Sequence, residues 1–459
     1  MTTPQLQFNR LKKAPNLDLD LRISRLKKLK SVINNNTDNI ISALSADYGQ
    51  RSEAETRLAE IMICIAEINH TLKHIENWAR PKSSSANMKF LFSKNTLVPQ
   101  PLGVVGIIAP WNYPFNLAIA PLIAAISAGN KVMIKPSEVT PKTAEIIADI
   151  CAQTFLDTEV AVSLGEIEVA QQFSQLPFMH LLFTGSTAVG KIIMQNAANN
   201  LTPVTLELGG KSPVIIDENY SIKKAAKSIV GGKFYNAGQT CIAPDYILVP
   251  ENKQLELIDA LQVEIKKCFP DILNNPDYTA IINDRHFERL NKLAEKSSNF
   301  QHIWPGGEQK NTDKNIFPPL LVVNPEKDSD IMGNEIFGPI LPIIGVQSTQ
   351  EALDYINNKP NPLTLYVFSN DKKYINHSIN NTLSGSVAVN ETLVQFAQDG
   401  VSFGGVGESG MGSYHGYNGF KSFSHFKSVY YQTRLNFNAI ARAPYTPLKK
   451  KIIKLLGKL

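Results

Sequence analysis

The most reactive side chain that the sequence offers is one cysteine in a segment of small and polar residues. Four cysteines occur in the 459 residues, and Cys241 follows the peptide YNAGQT. Asparagine and glycine allow unusual backbone angles, and small neighbours leave room around the sulfur. A thiol becomes a useful nucleophile when its surroundings lower its pKa or take its proton. Taken alone, Cys241 is more simply a packed core thiol, because free cysteine is among the most buried residue types.

A carboxylate and an amide lie in equally distinctive peptides. Glu207 ends an apolar segment and precedes Gly209 and Gly210, which let the backbone turn sharply and leave open space beside the carboxylate. A carboxylate in such a place could act as general base towards water. Asn112 lies in the peptide PWNYP, where a fixed amide NH₂ could donate to a developing oxyanion. An asparagine that only closes a turn is the alternative.

Three further peptides could contact a dinucleotide. A turn between a predicted strand and a predicted helix could hold a diphosphate, although a simple tight turn explains it as well; its residues include Gly185, Ser186, Thr187 and Gly190. Lys135 and Glu138 follow another predicted strand, where an acidic residue typically meets ribose hydroxyls, and a solvated pair capping the next helix is the alternative. Glu335 and Phe337 offer a carboxylate for a sugar hydroxyl and a ring for a flat cofactor.

Composition excludes several classes of protein. The length predicts two or three domains, and 43% hydrophobic and 19% charged residues are globular values. The net charge of +5 is spread along the chain, which does not favour a nucleic-acid binder. No CxxC pair is present, so we expect neither a disulfide framework nor a metal site. The N-terminus shows no secretory signal, and the longest apolar run, 115–128, is shorter than the ~20 residues of a spanning helix. We expect a soluble, cytoplasmic protein.

The elements that must position these residues alternate between strand and helix from residue 102 onwards. Strands are predicted at 102–109, 131–134, 160–164 and 180–183, with helices between them. This order predicts an α/β fold with a doubly wound parallel sheet, whose ligands bind at the carboxyl ends of the strands. The candidate peptides follow exactly those predicted ends. The glycine-rich stretch 402–412 lies far from such a turn and is interpreted as a tight structural loop near the mouth of the site.

Residues 19–80 are predicted to be helical. Ser52 and Glu55 form a capping-box pattern. An apolar stripe at spacings of three and four residues is predicted to face the core; it comprises Leu58, Ile61, Ile65, Ile68, Leu72 and Ile75.

Seven peptides together resemble the aldehyde dehydrogenase superfamily over nearly the whole chain. They are PWNYP, KPSE, FTGSTAVGK, ELGGKSP, NAGQTC, EIFGPILP and FGGVGESGMG, in the order and at the spacings of that family. The short N-terminus and the peptides CIAPDY, YHG and FSH are similar to the class 3 branch. Within that branch, the chain resembles bacterial coniferyl aldehyde dehydrogenases.

The resemblance implies a role for each residue. Cys241 would attack the aldehyde carbon, Asn112 and the Cys241 backbone N–H would hold the oxyanion of the thiohemiacetal, and hydride transfer would leave a thioester. Glu207 would then activate the water that hydrolyses it. The implied cofactor is NAD, with NADP as a second acceptor, bound by Trp111, Lys135, Glu138, the Gly185–Gly190 turn, Glu335 and Phe337.

The resemblance also implies the domain organisation. A dinucleotide-binding domain would span 1–80 and 100–208, and a second α/β domain carrying the thiol would span 209–392. A small oligomerisation arm would comprise 81–99 and 393–435. The expected assembly is a homodimer.

The substrate is the least defined part of the prediction. Tyr113 and Phe403, with Phe396, are proposed as aromatic walls for a flat or apolar aldehyde of the coniferyl type. A broad or long-chain aliphatic aldehyde is the alternative. Three other functions are weaker: a CoA-acylating relative generally lacks a residue matching Glu207, a papain-like hydrolase would need its own signature, and a non-catalytic dinucleotide-binding protein would not need Cys241.

The C-terminal segment 436–459 has a basic amphipathic pattern. Leu448, Ile452, Leu455 and Leu459 share one predicted helical face, whereas Lys450, Lys454 and Lys458 share another. Such a helix could lie on an anionic membrane. Packing on its own or a partner subunit is the favoured alternative, because one short helix binds weakly alone.

Overall fold

Two large, mostly parallel sheets and one small antiparallel sheet organise the chain. The computed structural model describes residues 3–84, 93–398, 400–432, 440 and 442–456. The strands are β1 (Lys82–Ser84), β2 (Ser93–Pro101), β3 (Val104–Ile108), β4 (Lys131–Lys135), β5 (Val160–Val162), β6 (Leu181–Gly185), β7 (Val204–Leu208), β8 (Pro213–Ile216), β9 (Tyr246–Pro250), β10 (Gln301–Ile303), β11 (Leu320–Val323), β12 (Ile340–Val346), β13 (Thr364–Phe368), β14 (Ser386–Val389), β15 (Gly410–Met411) and β16 (Ser424–Gln432).

Helices cover both large sheets and form the N-terminal region. They are α1 (Pro4–Lys13), α2 (Leu19–Asn35), α3 (Thr37–Tyr48), α4 (Glu53–Thr56), α5 (Ile63–Ala79), α6 (Asn116–Ser127), α7 (Pro141–Thr154), α8 (Ile167–Ser174), α9 (Thr187–Ala198), α10 (Ile222–Phe234), α11 (Gln254–Cys268), α12 (Asp284–Lys296), α13 (Asp330–Gly333), α14 (Thr349–Asn357), α15 (Lys372–Asn380), α16 (Gly416–Ser422) and α17 (Pro447–Leu456). A π-helical segment, Arg57–Met62, joins α4 to α5.

The first large sheet has the strand order β15-β7-β6-β3-β4-β5 and is parallel except for β15. Its central strands β3 and β4 and the whole of α6 are buried, as a parallel sheet with helices on both faces requires. The doubly wound α/β prediction is confirmed. Because β3, β4, β6 and β7 run in the same direction, the peptides that follow them meet at one edge of the sheet.

The second large sheet has the order β10-β11-β12-β9-β8-β13-β14, with β10 antiparallel. Its side chains and those of the helices packed on it form an apolar core that is separate from the core of the first sheet. The chain passes from the first sheet to the second between Leu208 and Pro213. This crossing lies at the predicted limit between the two domains. Cys241 lies between β8 and β9 of the second sheet in the chain, and its side chain packs against the apolar core of the first.

The small sheet joins two segments that are far apart in sequence. Strand β2 pairs with β1 and, over nine residues, with β16, from Ser424 opposite Pro101 to Gln432 opposite Ser93. This sheet contains β1 and most of β2 from the predicted arm segment 81–99 and β16 from 393–435, whereas β15, also within 393–435, pairs with β7 of the first large sheet. The predicted tail forms α17, whose Leu448 and Leu455 are exposed, while Lys458 and Leu459 lie outside the described residues. In the part of the chain that the structure describes, no helix is long and apolar enough to cross a membrane.

The predicted apolar stripe near residue 60 needs a correction. Ile61, Ile68 and Ile75 are buried, but Leu58 is 53% exposed. The π-helical turn changes the angular position of the residues in that segment, so Leu58 leaves the core-facing stripe. The capping box is also incomplete: the Ser52 hydroxyl accepts from the Glu55 N–H, but the Glu55 carboxylate accepts from Thr279 and Asn236 instead.

Candidate active site

Cys241 follows a strained loop at the end of α10. Asn236 and Ala237 have φ of 51° and 50°, and Gly238 has φ of 75°. A side chain at Gly238 would meet the Gly338 carbonyl oxygen at 2.4 Å, so only glycine fits there. Non-glycine residues with positive φ are uncommon and persist where the surroundings hold them. The Cys241 side chain, free of any disulfide, is half-buried after this loop.

Gln239, which the sequence interpretation did not single out, holds the loop in place. Its side-chain NH₂ donates to the carbonyls of Asn236 and Ala280, both at 3.0 Å, and its Oε1 accepts from the Ile282 N–H at 3.0 Å. On the other side of the thiol, the Tyr366 hydroxyl donates to the Ile242 carbonyl at 2.5 Å. The backbone around Cys241 is therefore fixed by residues 280 and 282, which precede α12, and by β13 of the second sheet.

Asn112 is buried and its amide faces the thiol loop. Its Nδ2 donates to the Gln239 carbonyl at 3.1 Å, which uses one of the two hydrogens of the NH₂ group. The other hydrogen remains for an acceptor beside Cys241. The prediction of a fixed amide agrees with this hydrogen bond.

Glu207 carries a buried carboxyl group whose surroundings suit a catalytic base. It lies on β7, is 3% exposed, and neither oxygen has a hydrogen-bond partner. Burial raises its pKa well above the usual value. Gly410 of β15 pairs with Glu207 through the backbone, so the loop 402–412 covers the edge of the strand that carries it. A buried, unpartnered carboxyl is costly for folding, which favours a functional reason for its presence.

The thiol and Glu207 influence each other. Burial raises the pKa of Cys241 above its ordinary value, and the negative charges of Glu335 and Glu207 raise it further. At neutral pH the resting thiol therefore carries its proton. Its reaction as a nucleophile needs a base, and the two carboxylates are the ionisable groups that affect its pKa.

Glu335 lies over the glycine pair that follows β7. A side chain at Gly209 would meet a Glu335 carboxylate oxygen at 2.0 Å, so any larger residue there would displace that carboxylate. Burial, followed by the charge of Asp245, raises the pKa of Glu335 to about 8, while the Gly210 N–H and the charges of Lys211 and Arg289 oppose that shift.

The aromatic part of this region is Trp111 with Phe337. Phe337 has φ of 47°, and its ring contacts Trp111 edge-on at 5.3 Å between centroids. Arg289 donates to the carbonyls of Ile336 and Phe337 at 2.8 and 3.1 Å and so holds the peptide in this conformation.

The predicted adenosine and diphosphate residues meet at the ends of β4 and β6. The buried Lys135 ammonium donates to the Pro136 carbonyl at 2.6 Å and to the Glu138 carboxylate at 3.1 Å. This geometry differs from the alternative of a solvated surface pair, since Lys135 is 1% exposed. An ammonium beside a carboxylate offers both a donor and an acceptor, which suits the hydroxyls of a ribose.

The glycine-containing turn forms the N-terminus of α9. Ser186 is the N-cap and accepts from the Val189 N–H at 3.4 Å, and Thr187 donates to the Glu408 carbonyl at 3.1 Å. A side chain at Gly190 would meet Leu208 at 2.7 Å, and one at Gly185 would meet Phe183 at 2.5 Å. These glycines are explained by packing, and the helix N-terminus leaves amide groups for an anion.

Cys241 also lines a cavity of about 310 Å³, whose lining includes neither Glu207 nor Glu335. Its walls are mostly apolar and come from four parts of the chain; they are Leu58, Ala59, Ile63, Tyr113, Asn116, Leu117, Tyr235, Thr240, Cys241, Ile242, Leu393, Val394, Phe396 and Ala397. The Tyr113 hydroxyl bonds to the Thr240 hydroxyl at 2.7 Å, and the Tyr235 hydroxyl donates to the Glu55 carbonyl at 3.2 Å. Both hydroxyls are therefore already hydrogen-bonded, and the two tyrosines present their rings to the cavity.

The prediction for Phe403 needs a correction. Tyr113 and Phe396 line the cavity, but Phe403 is buried behind Phe396, with ring centroids 4.9 Å apart, and it does not line the cavity. The sequence had no signal for the wall from the π-helical segment, because the helical period predicted Leu58 as core. Within the described ranges, no group of three or more His, Cys, Asp or Glu residues could hold a metal ion.

Comparisons with known proteins agree with this site. A family model described as the aldehyde dehydrogenase family matches residues 9–429. A probable coniferyl aldehyde dehydrogenase of Pseudomonas aeruginosa is 45% identical over 449 residues, which cover 97% of this chain and 93% of that protein. The 4,4'-diaponeurosporen-aldehyde dehydrogenase of Staphylococcus aureus is 43% identical over 430 residues and covers 93% of each chain.

A solved structure extends the similarity to three dimensions. The substrate-bound state of an aldehyde dehydrogenase, AldH, of Staphylococcus aureus has a TM-score of 0.95 and 41% identity, over 99% of this chain and 100% of that one. The match therefore includes both large sheets and the loop that carries the thiol. A family model and relatives of this coverage leave one conclusion: the chain belongs to the aldehyde dehydrogenase family and is an enzyme that oxidises aldehydes.

Proposed function

We propose that this enzyme oxidises a large apolar or aromatic aldehyde to its carboxylic acid through a thioester on Cys241, with NAD as acceptor and NADP as a second acceptor. The observation that carries the proposal is the buried Glu207 carboxyl without a hydrogen-bond partner, whose charge acts on the Cys241 thiol. A thiol beside an unpartnered carboxyl is the arrangement that hydrolysis of a thioester requires.

In the first step, the Cys241 proton passes to a water molecule and the sulfur forms a bond to the aldehyde carbon. The carbonyl double bond becomes an oxyanion, which the free hydrogen of the Asn112 amide and the Cys241 backbone N–H stabilise. Such preorganised donors typically contribute about 10²–10³-fold to the rate. The tetrahedral adduct holds its hydrogen on the polar side of the thiol.

The polar side supplies the residues that would hold the cofactor. Lys135 and Glu138 would bind the adenosine ribose, the N-terminus of α9 would face the diphosphate, and Glu335 with Phe337 and Trp111 would hold the nicotinamide end. When bound, NAD or NADP supplies the hydride acceptor for the oxidation. Support for both forms comes from a relative, the dimeric NADP-preferring aldehyde dehydrogenase of Rattus norvegicus, which is 40% identical.

In the last step, Glu207 accepts a proton from water as the water oxygen attacks the thioester carbon. The carbon–sulfur bond breaks, the carboxylic acid leaves, and the thiolate regains a proton. Burial raises the pKa of Glu207, so its carboxylate is a stronger base towards water than that of an exposed glutamate.

The apolar cavity supports a bulky apolar substrate. Its walls lack free ionic groups, and burial of such a ligand contributes about 25 cal/mol per Å² of apolar surface. The relatives named above as coniferyl and diaponeurosporen aldehyde dehydrogenases favour, respectively, an aromatic aldehyde and a long apolar one. We propose the coniferyl type first and a long-chain aldehyde as the alternative.

Formation of NADH at 340 nm with a panel of aldehydes tests the proposal. We expect the highest kcat/KM for coniferyl or benzaldehyde-type substrates, and no turnover above background for Cys241→Ala. Cys268→Ala, which changes an exposed cysteine, is the matched control and should retain full activity. Preference for long aliphatic aldehydes would replace the aromatic assignment, and turnover by Cys241→Ala would refute the thioester mechanism.

We also propose a homodimer held through the small sheet. Support comes from the rat relative, whose name describes it as dimeric. Sedimentation equilibrium measures the assembly directly, and a monomer at micromolar concentration would refute it.

A further inference from the structure

Arg51 is an arginine whose side chain is completely buried near the active site. It follows α3, and its guanidinium and the Glu60 carboxylate are both 0% exposed, with 3.0 Å between Nη2 and Oε1. Buried ion pairs of this kind contribute little to stability, because removing two charges from water is costly. The presence of the pair beside the thiol loop needs another explanation.

The contacts of Arg51 lead to Asn112. Its Nη1 donates to the Asn112 carbonyl oxygen at 3.0 Å. The same oxygen accepts from the Tyr48 hydroxyl at 2.9 Å and from the Asn236 Nδ2 at 3.1 Å. Three donors on one carbonyl fix the peptide plane of Asn112, and thereby the direction in which its side chain leaves the backbone.

The guanidinium also packs on the neighbouring rings. Its central carbon lies 4.6 Å from the centroid of the Tyr48 ring and 5.3 Å from that of the Tyr113 ring. Tyr113 lines the apolar cavity, so Arg51 contacts both the residue proposed to donate to the oxyanion and a wall of the substrate site.

Glu60 connects the same arginine to a second wall. It lies in the π-helical segment between Ala59, which lines the cavity, and the buried Ile61. Its Oε2 accepts from the Asn116 N–H at 2.7 Å, at the start of α6. The carboxylate therefore links the π-helical wall, Arg51 and the helix that follows Asn112.

We infer that Arg51 is a positioning residue for the oxyanion site: it holds the Asn112 peptide so that the amide points at the carbon bound to Cys241. The inference rests on the proposed role of Asn112. Lysine keeps the charge at this position but loses the planar fork that contacts the carbonyl and Glu60 together.

A double-mutant cycle between Arg51 and Asn112 tests the inference. We expect Arg51→Lys to lower the first-turnover rate constant by roughly 10- to 100-fold with KM changed less than about threefold, since small misplacement of a catalytic group costs up to ~10²-fold. In an Asn112→Ala background, Arg51→Lys should lower that rate constant by less than about twofold, because no amide remains to be misplaced. Arg57→Lys, at an exposed arginine of the π-helical segment, is the matched control and should leave the rate constant unchanged.

The outcomes separate the two levels of the proposal. Suppose that Asn112→Ala lowers the first-turnover rate constant and that the losses caused by Arg51→Lys and Asn112→Ala multiply in the double mutant. The Arg51 inference is then overturned while the role of Asn112 stands. If Asn112→Ala reacts at the wild-type rate, the role of Asn112 fails and the Arg51 inference fails with it.

A charge-free variant covers the case in which Arg51→Lys does not fold. Arg51→Met combined with Glu60→Met removes both charges, and such replacements are often neutral for stability. We expect a folded protein by circular dichroism with the same loss of first-turnover rate, and with Asn112→Ala added, a rate within about twofold of that of Asn112→Ala alone. Wild-type rates in the folded Met/Met variant would overturn the inference.

Discussion

The two sides of Cys241 differ in chemistry and in the way the chain builds them. The polar side consists of short peptides at the carboxyl ends of β3, β4, β6 and β7, together with the peptide of Glu335. The apolar side is assembled from the π-helical segment, α6, the thiol loop and residues 393–397, which come from separate parts of the fold. Reaction chemistry is therefore encoded locally, whereas substrate selection is encoded by long-range packing.

This difference predicts which changes affect the rate and which affect the choice of substrate. A substitution on the polar side should alter a chemical step for every aldehyde. One on the apolar side should alter the ranking of aldehydes and leave the chemistry intact. The following changes test that division.

The largest effect is expected for Glu207→Gln. Without a general base, thioester hydrolysis should slow by about 10²- to 10⁴-fold for all aldehydes, while the first turnover still gives a burst of NADH. Stopped-flow absorbance at 340 nm measures both phases. Glu408→Gln changes an exposed carboxylate of the neighbouring loop and should behave as wild type. A Glu207→Gln enzyme with an undiminished steady rate would assign the base to another group.

On the apolar side, Phe396→Ala should change specificity. Loss of a ring from the cavity wall is expected to lower kcat/KM for an aromatic aldehyde by roughly 10- to 200-fold relative to acetaldehyde, in the range found for hydrophobic pockets. Val401→Ala, at an exposed position nearby, is the control. An equal loss for both substrates would mean that the two sides are not separable.

Glu138→Gln should change the choice of cofactor by a smaller factor. The carboxylate repels a 2′-phosphate, and such a repulsion between charges in water costs about 1 kcal/mol. Its removal is expected to improve kcat/KM for NADP by roughly fivefold to tenfold. Glu145→Gln, in the exposed Lys142–Glu145 pair of α7, provides the comparison. An unchanged ratio of NADP to NAD would place the discrimination elsewhere.

The smallest effect concerns stability. Burial raises the pKa of Glu207 in the folded protein above its value in the unfolded chain. The contribution of this group to the free energy of unfolding is therefore fully present below the unfolded pKa and is lost as the pH rises towards the folded pKa. Glu207→Gln has no charge to bury, and it should be more stable than wild type by about 1–3 kcal/mol at pH 9 and closer to it at pH 5. Thermal unfolding at the two pH values measures this difference, and a gap that shrinks with rising pH would contradict it.

Much of the polar side follows from the sequence because all of its peptides except that of Glu335 lie at the end of a strand. The alternation of strands and helices predicted one edge for them, and the structure brings Asn112, Lys135, Gly185 and Glu207 to the ends of parallel strands. The resemblance to the family supplied the roles, which spacing alone could not give.

The apolar side was harder to predict for physical reasons. Leu58 was assigned to the core because a π-helical turn breaks the period on which that assignment depended. Phe403 is predicted to line the cavity, but the ring of Phe396 lies between Phe403 and the cavity. Gln239 was not noticed because its partners, Ala280 and Ile282, are distant in sequence.

The pairing of Gly410 with Glu207 has a consequence for synthesis of the protein. Domains generally fold as the chain leaves the ribosome, N-terminal parts first. The sheet that carries Glu207 and the loop that carries Cys241 can therefore form early, but β15 and the Thr187–Glu408 contact need residues near the C-terminus. A nascent chain would hold its thiol beside an open strand edge until residues 408–411 have been synthesised, so the full surroundings of Glu207 form only after that point.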